Sequence, residues 1–215
     1  LKNTHISLDE RLSLHEEHDA LSLARDDCTM DRAGILTQLG EYEEAVRLLA
    51  SHRFHTYEGG EGGLTRLHAW LKYFIGVNKL KNGDAGEAIE VLKEGFTFPE
   101  CYGETKNYFA QEEHLNYALG TAYESIGDTE KAREYFTAAT IDHSSPTYVS
   151  LWKVLSLRKL GRHLEADNLL DEMSNIADSI IAKKSMLDYF GVGAPSPMPF
   201  EGNYELNNEV KGLNL

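Results

Sequence analysis

Cysteine is scarce in this 215-residue sequence, which contains Cys28 and Cys101 alone. Two cysteines do not make a disulfide framework, so we expect a reducing, cytoplasmic location. No apolar run approaches the roughly 20 residues that a membrane-spanning helix needs, so we expect no membrane partner. Basic residues are also few: 21 Lys and Arg against 35 Asp and Glu give a formal net charge of −14. That charge repels phosphate backbones, so we expect no nucleic acid partner.

The hydrophobic and charged content of the chain is typical of a folded protein. Hydrophobic residues make up 41% of the chain and charged residues 26%, which is typical of globular domains with a buried core. The sequence begins at Leu1 and ends with the apolar segment "EVKGLNL", which resembles the start of another helix. We interpret the chain as a piece of a longer protein.

Four segments share a glycine followed five residues later by an alanine. A glycine at the end of an apolar segment supplies the left-handed residue that terminates a helix. A small alanine then lets the next helix pack closely on the first. Each segment therefore predicts an antiparallel helical hairpin, and together they predict an all-α fold. The four pairs are Gly40 and Ala45, Gly83 and Ala88, Gly127 and Ala132, and Gly161 and Ala166.

The third segment resembles a tetratricopeptide repeat. It has the Leu-Gly, Tyr, Ala, Phe and Ala pattern of that family, carried by Leu119, Gly120, Tyr123, Ala132, Phe136 and Ala139. The resemblance implies hairpins stacked into a right-handed superhelix, here with about nine or ten helices. It also implies a protein-interaction module rather than an enzyme.

We expect the whole chain, 1–215, to form a single helical-repeat domain. A capping box at "SLDE", Ser7 to Glu10, opens its first helix. After the fourth hairpin we expect one more helix and the beginning of a further unit. The predicted units cover 27–53, 64–96, 108–141 and 147–174, and the extra helix covers 175–190.

Two of the junctions between hairpins are longer than in a regular tetratricopeptide repeat. Gly127 and Gly161 are 34 residues apart, the usual tetratricopeptide period, whereas the two earlier separations are 43 and 44. The additional residues are "FHTYEGGEGG" (54–63) and "FTFPECYGETKNY" (96–108), and "PMPFEGNYELNNE" (197–209) is a third candidate. All three combine aromatic residues, glycine and glutamate. Because equivalent turns repeat along a stack of hairpins, we expect the first two to be neighbours in space.

These inserts are the candidate binding site. Aromatic faces, carboxylates and glycines suit a sugar or a neighbouring protein domain. The same residues could instead pack beneath the adjacent repeat, and the sequence leaves both interpretations open. The candidate residues are Phe54, His55, Tyr57, Glu58, Gly59, Gly60, Glu61, Tyr102, Gly103 and Glu104.

A more specific resemblance rests on "FHTYEGGEGG", "YGETK", "QEEHLNYALGTAYESIGDTEKAREYF" and "LDYFGVGAP". Over most of residues 7 to 192, the chain is similar to the helical C-terminal region of a bacterial family. In that family the repeats follow an uncharacterised β-sandwich domain that resembles those of glycoside hydrolases. The resemblance implies a non-catalytic module that binds its own N-terminal domain, or a second copy of itself, through the inserts. The alternative it implies is a carbohydrate site that the N-terminal domain completes.

No catalytic or metal-binding set stands out. The histidines of "HEEH", His15 and His18, are three apart rather than four, so they predict a polar helix end and not a zinc-protease site. His52, His55, Glu58 and Glu61 are close in sequence, but nothing fixes their geometry as metal ligands. Cys101 has no neighbouring histidine to activate it. The glycine-rich insert lacks the Gly-Lys-Ser/Thr ending of a phosphate loop. We expect no cofactor.

Overall fold

The computed structural model describes residues 6–55, 60–106, 110–141 and 146–182. These residues contain α-helices and one short 3₁₀ helix and no β-strand, which confirms the all-α class. The helices are α1 (Leu8–Glu17), α2 (Asp19–Leu23), α3 (Asp26–Leu39), α4 (Tyr42–Ser51), α5 (Gly63–Lys81), α6 (Ala85–Glu94), the 3₁₀ helix (Glu100–Tyr102), α7 (Glu113–Ser125), α8 (Thr129–Ala138), α9 (Ser150–Lys159) and α10 (His163–Ala182).

The helix caps and turns lie where the sequence pattern predicts them. Ser7 and Glu10 form the predicted capping box at the start of α1. The four glycines that end the first helices adopt φ values of 87°, 89°, 81° and 75°, in the left-handed region that favours glycine. The alanines five residues later are all buried, with at most 4% of their surface exposed. The four predicted hairpin turns are therefore confirmed.

The crossing between α7 and α8 shows why small residues are needed. A Cβ atom added to Gly120 would lie 2.5 Å from the ring of Phe136, far closer than real contacts allow. Gly76 on α5 meets Leu92 on α6 in the same way, also at 2.5 Å. In both cases a glycine on the first helix admits a large apolar side chain from the second. The absence of a side chain thus sets the helix separation.

The described residues fall into two compact units. The first contains 6–55, 60–75, 94–106 and 110. Its core is built from α3, α4 and the first turns of α5, with α1 and α2 packed on α3. Leu36, Leu49, Leu67 and Leu71 are at most 3% exposed.

The second unit contains 76–93, 111–141 and 146–182. Helices α7 and α8 form one hairpin, α9 and α10 form another, and α9 packs against both α7 and α8. Val154, Leu157 and Ala166 join the second hairpin, with Leu169, Leu170 and Met173 around them. Each hairpin therefore buries an apolar stripe against its neighbour, as stacked repeats do.

The end of the described chain differs from the prediction. We expected a break near residue 174 and a new helix over 175–190. The structure shows one continuous helix, α10, from His163 to Ala182. No proline or glycine occurs within it, so nothing in the backbone forces a stop. The remainder of the expected helix and the third insert (197–209) lie outside the described residues.

Candidate interaction site at the two inserts

The first two inserts are in direct contact, as expected from the repeat arrangement. The backbone N–H of Phe54 donates a hydrogen bond to the carbonyl of Cys101, with 2.8 Å between nitrogen and oxygen. The rings of Phe54 and Tyr102 meet edge to face, with centroids 6.0 Å apart. Gly103 has φ +67°, and a Cβ atom there would lie 3.0 Å from the Phe54 carbonyl oxygen. Glycine therefore permits the close approach of the two segments.

The aromatic residues of this contact belong to the core of the first unit. Phe54 is 6% exposed and Tyr102 is 1% exposed, and both pack with the leucines of α3, α4 and α5. Full burial of a phenylalanine side chain stabilises a fold by about 1.5–3 kcal/mol. The interpretation of Tyr102 as an open face for a ligand needs correcting, because the structure gives its ring a packing role.

His68 on α5 satisfies the buried hydroxyl of Tyr102. Nε2 of His68 lies 3.2 Å from the carbonyl oxygen of Glu94, which can only accept, so Nε2 carries the proton. Nδ1 is then an acceptor, and the Tyr102 hydroxyl donates to it across 3.0 Å. Burial lowers the pKa of His68 to about 4. Burial also raises the pKa of Tyr102, and nearby Cys101 adds to that effect. Both side chains are neutral at pH 7.

Glu104 of the second insert caps the helix that the first insert begins. Its two carboxylate oxygens accept hydrogen bonds from the backbone N–H groups of Gly62, at 3.0 Å, and Thr65, at 3.1 Å. These groups are at the N-terminus of α5, where unpaired amides and the helix dipole both favour a negative charge. Both carboxylate oxygens of Glu104 thus accept hydrogen bonds from within the protein.

Asp26, the first residue of α3, holds the N-terminal end of the first insert in place through hydrogen bonds. One carboxylate oxygen lies 2.6 Å from Nε2 of His52, and the other accepts from the backbone N–H of His55 at 2.8 Å. Burial opposes the charged form of Asp26, but the hydrogen bonds from His52 and His55 outweigh it and lower the pKa of the carboxyl group. Nδ1 of His55 also lies 3.3 Å from Asp26, yet 82% of its side chain is exposed. The insert is therefore anchored through its backbone while His55 faces solvent.

Several of the predicted site residues surround one small cavity. Its volume is about 30 Å³, and its lining includes Phe54, His55, Gly60, Glu61, Tyr102 and Glu104, together with Asp26. A cavity needs roughly 10–15 Å³ of such volume to hold a water molecule, so there is room for about two waters. A sugar ring does not fit there. Tyr57, Glu58 and Gly59 lie outside the described residues.

Sequence reasoning missed His68 and Asp26. Each contacts an insert from a helix, at positions that no repeat pattern distinguishes. The only signals were a histidine inside the apolar run "LTRLHAWL" and an aspartate at the start of α3.

His15 is not part of a solvated helix end, as "HEEH" had suggested. Its Nδ1 lies 2.7 Å from the Ser22 hydroxyl and its Nε2 lies 3.1 Å from Asp31. Arg11 donates to both carboxylate oxygens of Asp31, at 2.8 and 3.0 Å. Ser22 is 4% exposed, so its hydroxyl is shielded from a substrate. The network joins α1, α2 and α3.

Within the described ranges, no three His, Cys, Asp or Glu side chains are arranged to hold a metal ion. Likewise, none of the described helices combines the length and hydrophobicity needed to cross a membrane. Cys28 and Cys101 are both free thiols and partly exposed.

Comparison with known protein families identifies a tetratricopeptide repeat over residues 113–140. This range covers α7 and α8, where Gly120 meets Phe136. No solved structure matches the chain. The described part of the chain is thus all-helical and includes a tetratricopeptide repeat, a unit that generally mediates protein–protein interaction and is generally non-catalytic.

Proposed function

We propose that this chain is a non-catalytic module that binds another polypeptide through the exposed side of its two inserts. The observation that carries the proposal is the way the inserts are held. The Phe54 N–H donates to the Cys101 carbonyl, and the N–H groups of Gly62 and Thr65 donate to the Glu104 carboxylate, all within the chain itself. A surface that is already ordered loses less entropy on binding, which favours affinity.

Five residues in or directly beside the inserts are exposed to solvent. Arg53, His55, Gly103, Thr105 and Lys106 are exposed, next to the buried Phe54 and Tyr102. We name these five residues the insert rim. Three of them, Arg53, His55 and Lys106, are basic side chains in a chain whose net charge is −14. Glu61 and Glu100 of the same inserts are also exposed, so this surface carries both signs of charge and suits a protein partner with a complementary pattern of charges.

The partner we propose is the β-sandwich domain that the family resemblance places before Leu1. A second copy of the chain is the other occupant that the resemblance implies. Nothing among the described residues favours the carbohydrate alternative. The Tyr102 ring, which would have stacked on a sugar, is buried. Glu104 is one of the glutamates that would have bonded sugar hydroxyls, and its two oxygens already accept from Gly62 and Thr65.

The test is a calorimetric titration of this chain with a separately produced β-sandwich domain of the kind that the family resemblance implies. Arg53→Glu and Lys106→Glu should each weaken binding by about three- to tenfold, the size expected for rim charges. Lys81→Glu makes the same charge change at an exposed position on α5, far from the inserts in sequence, and should have a smaller effect. Sedimentation of the chain alone measures self-association. Equal weakening by all three variants, or the absence of both kinds of binding, would contradict the proposal.

A further inference from the structure

Helices α1 and α2 pack on α3, yet they bury very little of their own surface. No residue of α1 is buried, and in α2 only Ser22 is. Leu12 reaches the core of the first unit as a partly buried side chain. An isolated helix shorter than about 12–15 residues is marginally stable in water, and α1 has 10 residues. The helical form of α1 therefore depends on its contact with α3.

A cluster of polar contacts holds α1 on α3, and Asp31 is at its centre. The Asp31 carboxylate accepts from Nη2 of Arg11 at 2.8 and 3.0 Å and lies 3.1 Å from Nε2 of His15. The side chains of Arg11, His15 and Asp31 are only 11%, 13% and 23% exposed, so solvent screens their interaction less than that of surface pairs. Removal of one partner from such a contact is costly, because the other partner stays desolvated.

Helix α2 is attached to α3 in a similar way. Arg32 of α3 donates to Asp19 of α2 at 2.6 Å, and the Thr29 hydroxyl donates to the Ser22 carbonyl at 3.3 Å. Nδ1 of His15 lies 2.7 Å from the Ser22 hydroxyl and so joins α1 to α2. The two helices are thus coupled to each other and to one side of α3.

That side of α3 also carries an apolar residue that is fully buried. Residues three and four positions apart lie on the same face of a helix, and Ile35 follows Arg32 by three positions and Asp31 by four. Ile35 is 0% exposed. Separation of α1 and α2 from α3 would therefore uncover an apolar side chain that a mainly polar attachment keeps covered.

We propose that α1 and α2 form an N-terminal latch (residues 8–23) that opens from α3 while the rest of the first unit stays folded, and that Asp31 holds it closed. Opening the latch costs less than unfolding the unit because few apolar contacts are lost, as in other segments that unfold locally. The open form presents Ile35 as part of an apolar surface that the closed form lacks. The latch is separate from the insert rim, so this inference does not depend on the proposed function.

Amide hydrogen exchange in the full chain tests the latch. The amides of residues 12–17 in α1 should exchange faster than the amide of Leu36, which is in the core. Asp31→Asn keeps the size of the side chain and removes its charge, whereas Arg11→Gln changes the other partner. Each should accelerate exchange at residues 12–17 by about ten- to hundredfold, as expected for the loss of a charged hydrogen bond, and leave Leu36 unchanged. Asp171→Asn makes the same substitution at an exposed position of the second unit and should alter neither rate.

Labelling of side chains by hydroxyl radicals measures whether Ile35 is uncovered. Its labelling should increase in Asp31→Asn, while that of Leu49, fully buried in the core of the first unit, should not. Equal acceleration of exchange at Leu36 and at residues 12–17 would show that α1 opens only with the whole unit. Unchanged exchange in Asp31→Asn, or an equal effect of Asp171→Asn, would show that Asp31 does not hold the latch. Rapid exchange of α1 without increased labelling of Ile35 would also overturn the inference.

Discussion

The Tyr102 hydroxyl donates to Nδ1 of His68 although the two residues are 34 positions apart in sequence. This hydrogen bond joins the second insert to α5 inside the core of the first unit. It requires a neutral imidazole, since a protonated Nδ1 cannot accept.

The stability of the first unit should therefore depend on pH. The pKa of His68 in the folded protein, about 4, is below the ordinary value of 6.5, so the unfolded chain binds the proton first as pH falls. The stabilisation is fully present above pH 6.5 and is lost as pH falls from 6.5 to 4. At 1.36 kcal/mol per pH unit, the loss is roughly 3 kcal/mol.

Thermal unfolding across this pH range measures the effect. His68→Gln keeps a donor toward Glu94 and cannot be protonated, so its stability should vary less between pH 6.5 and 4 than that of the wild type. His18→Gln, at an exposed histidine, is the control. The same pH dependence in all three proteins would show that His68 is not the group responsible.

Removing the Glu104 carboxylate should weaken the start of α5. Glu104→Ala leaves the N–H groups of Gly62 and Thr65 without their acceptor, which we expect to cost about 1–3 kcal/mol. Amide hydrogen exchange at Thr65 should accelerate. Glu100→Ala changes an exposed glutamate of the same insert and should leave that exchange unaltered. Unchanged protection in Glu104→Ala would mean that other groups cap α5.

Gly103→Ala tests the close contact of the two inserts. The substitution adds a left-handed backbone penalty and a Cβ atom 3.0 Å from the Phe54 carbonyl oxygen. Gly40→Ala meets the backbone penalty alone, because its added Cβ has no neighbour within 4 Å. We expect each left-handed alanine to cost about 1–2 kcal/mol and Gly103→Ala to cost more than Gly40→Ala. Denaturant unfolding gives both values, and a reversed order would contradict the contact.

Gly120→Ala tests the helix crossing of the tetratricopeptide repeat. Its Cβ would overlap the Phe136 ring, so we expect a loss of about 1–3 kcal/mol. Gly86→Ala, on α6 with open space around the added Cβ, should instead stabilise the helix by up to about 1 kcal/mol. Adding Phe136→Leu to Gly120→Ala should recover part of the loss, as coupled neighbours do. Additive losses in the double variant would argue against this overlap.

The hairpins were predictable because their signals are local. Gly127 and Ala132 are five residues apart, and the conformation of one and the burial of the other follow from the pattern alone. The inserts were located by spacing, but the roles of Tyr102 and Glu104 were not predictable. Their partners, His68 and Thr65, lie 34 and 39 residues away, and no periodicity links such positions. The continuous α10 was missed because the second helices of the earlier hairpins, α4, α6 and α8, have 10 residues each, whereas α10 has 20.

The hydrogen bonds from Gly62 and Thr65 to Glu104 also bear on the synthesis of the chain. The two amides leave the ribosome 42 and 39 residues before the carboxylate that binds them. At about 5–20 residues per second, these two amides precede the carboxylate by roughly 2–8 seconds. A nascent chain that stops at Gly95 contains all of α5 and neither Tyr102 nor Glu104. The first unit is therefore completed only after the ribosome has passed the second hairpin, and a chain arrested at that point should show rapid amide exchange at Thr65.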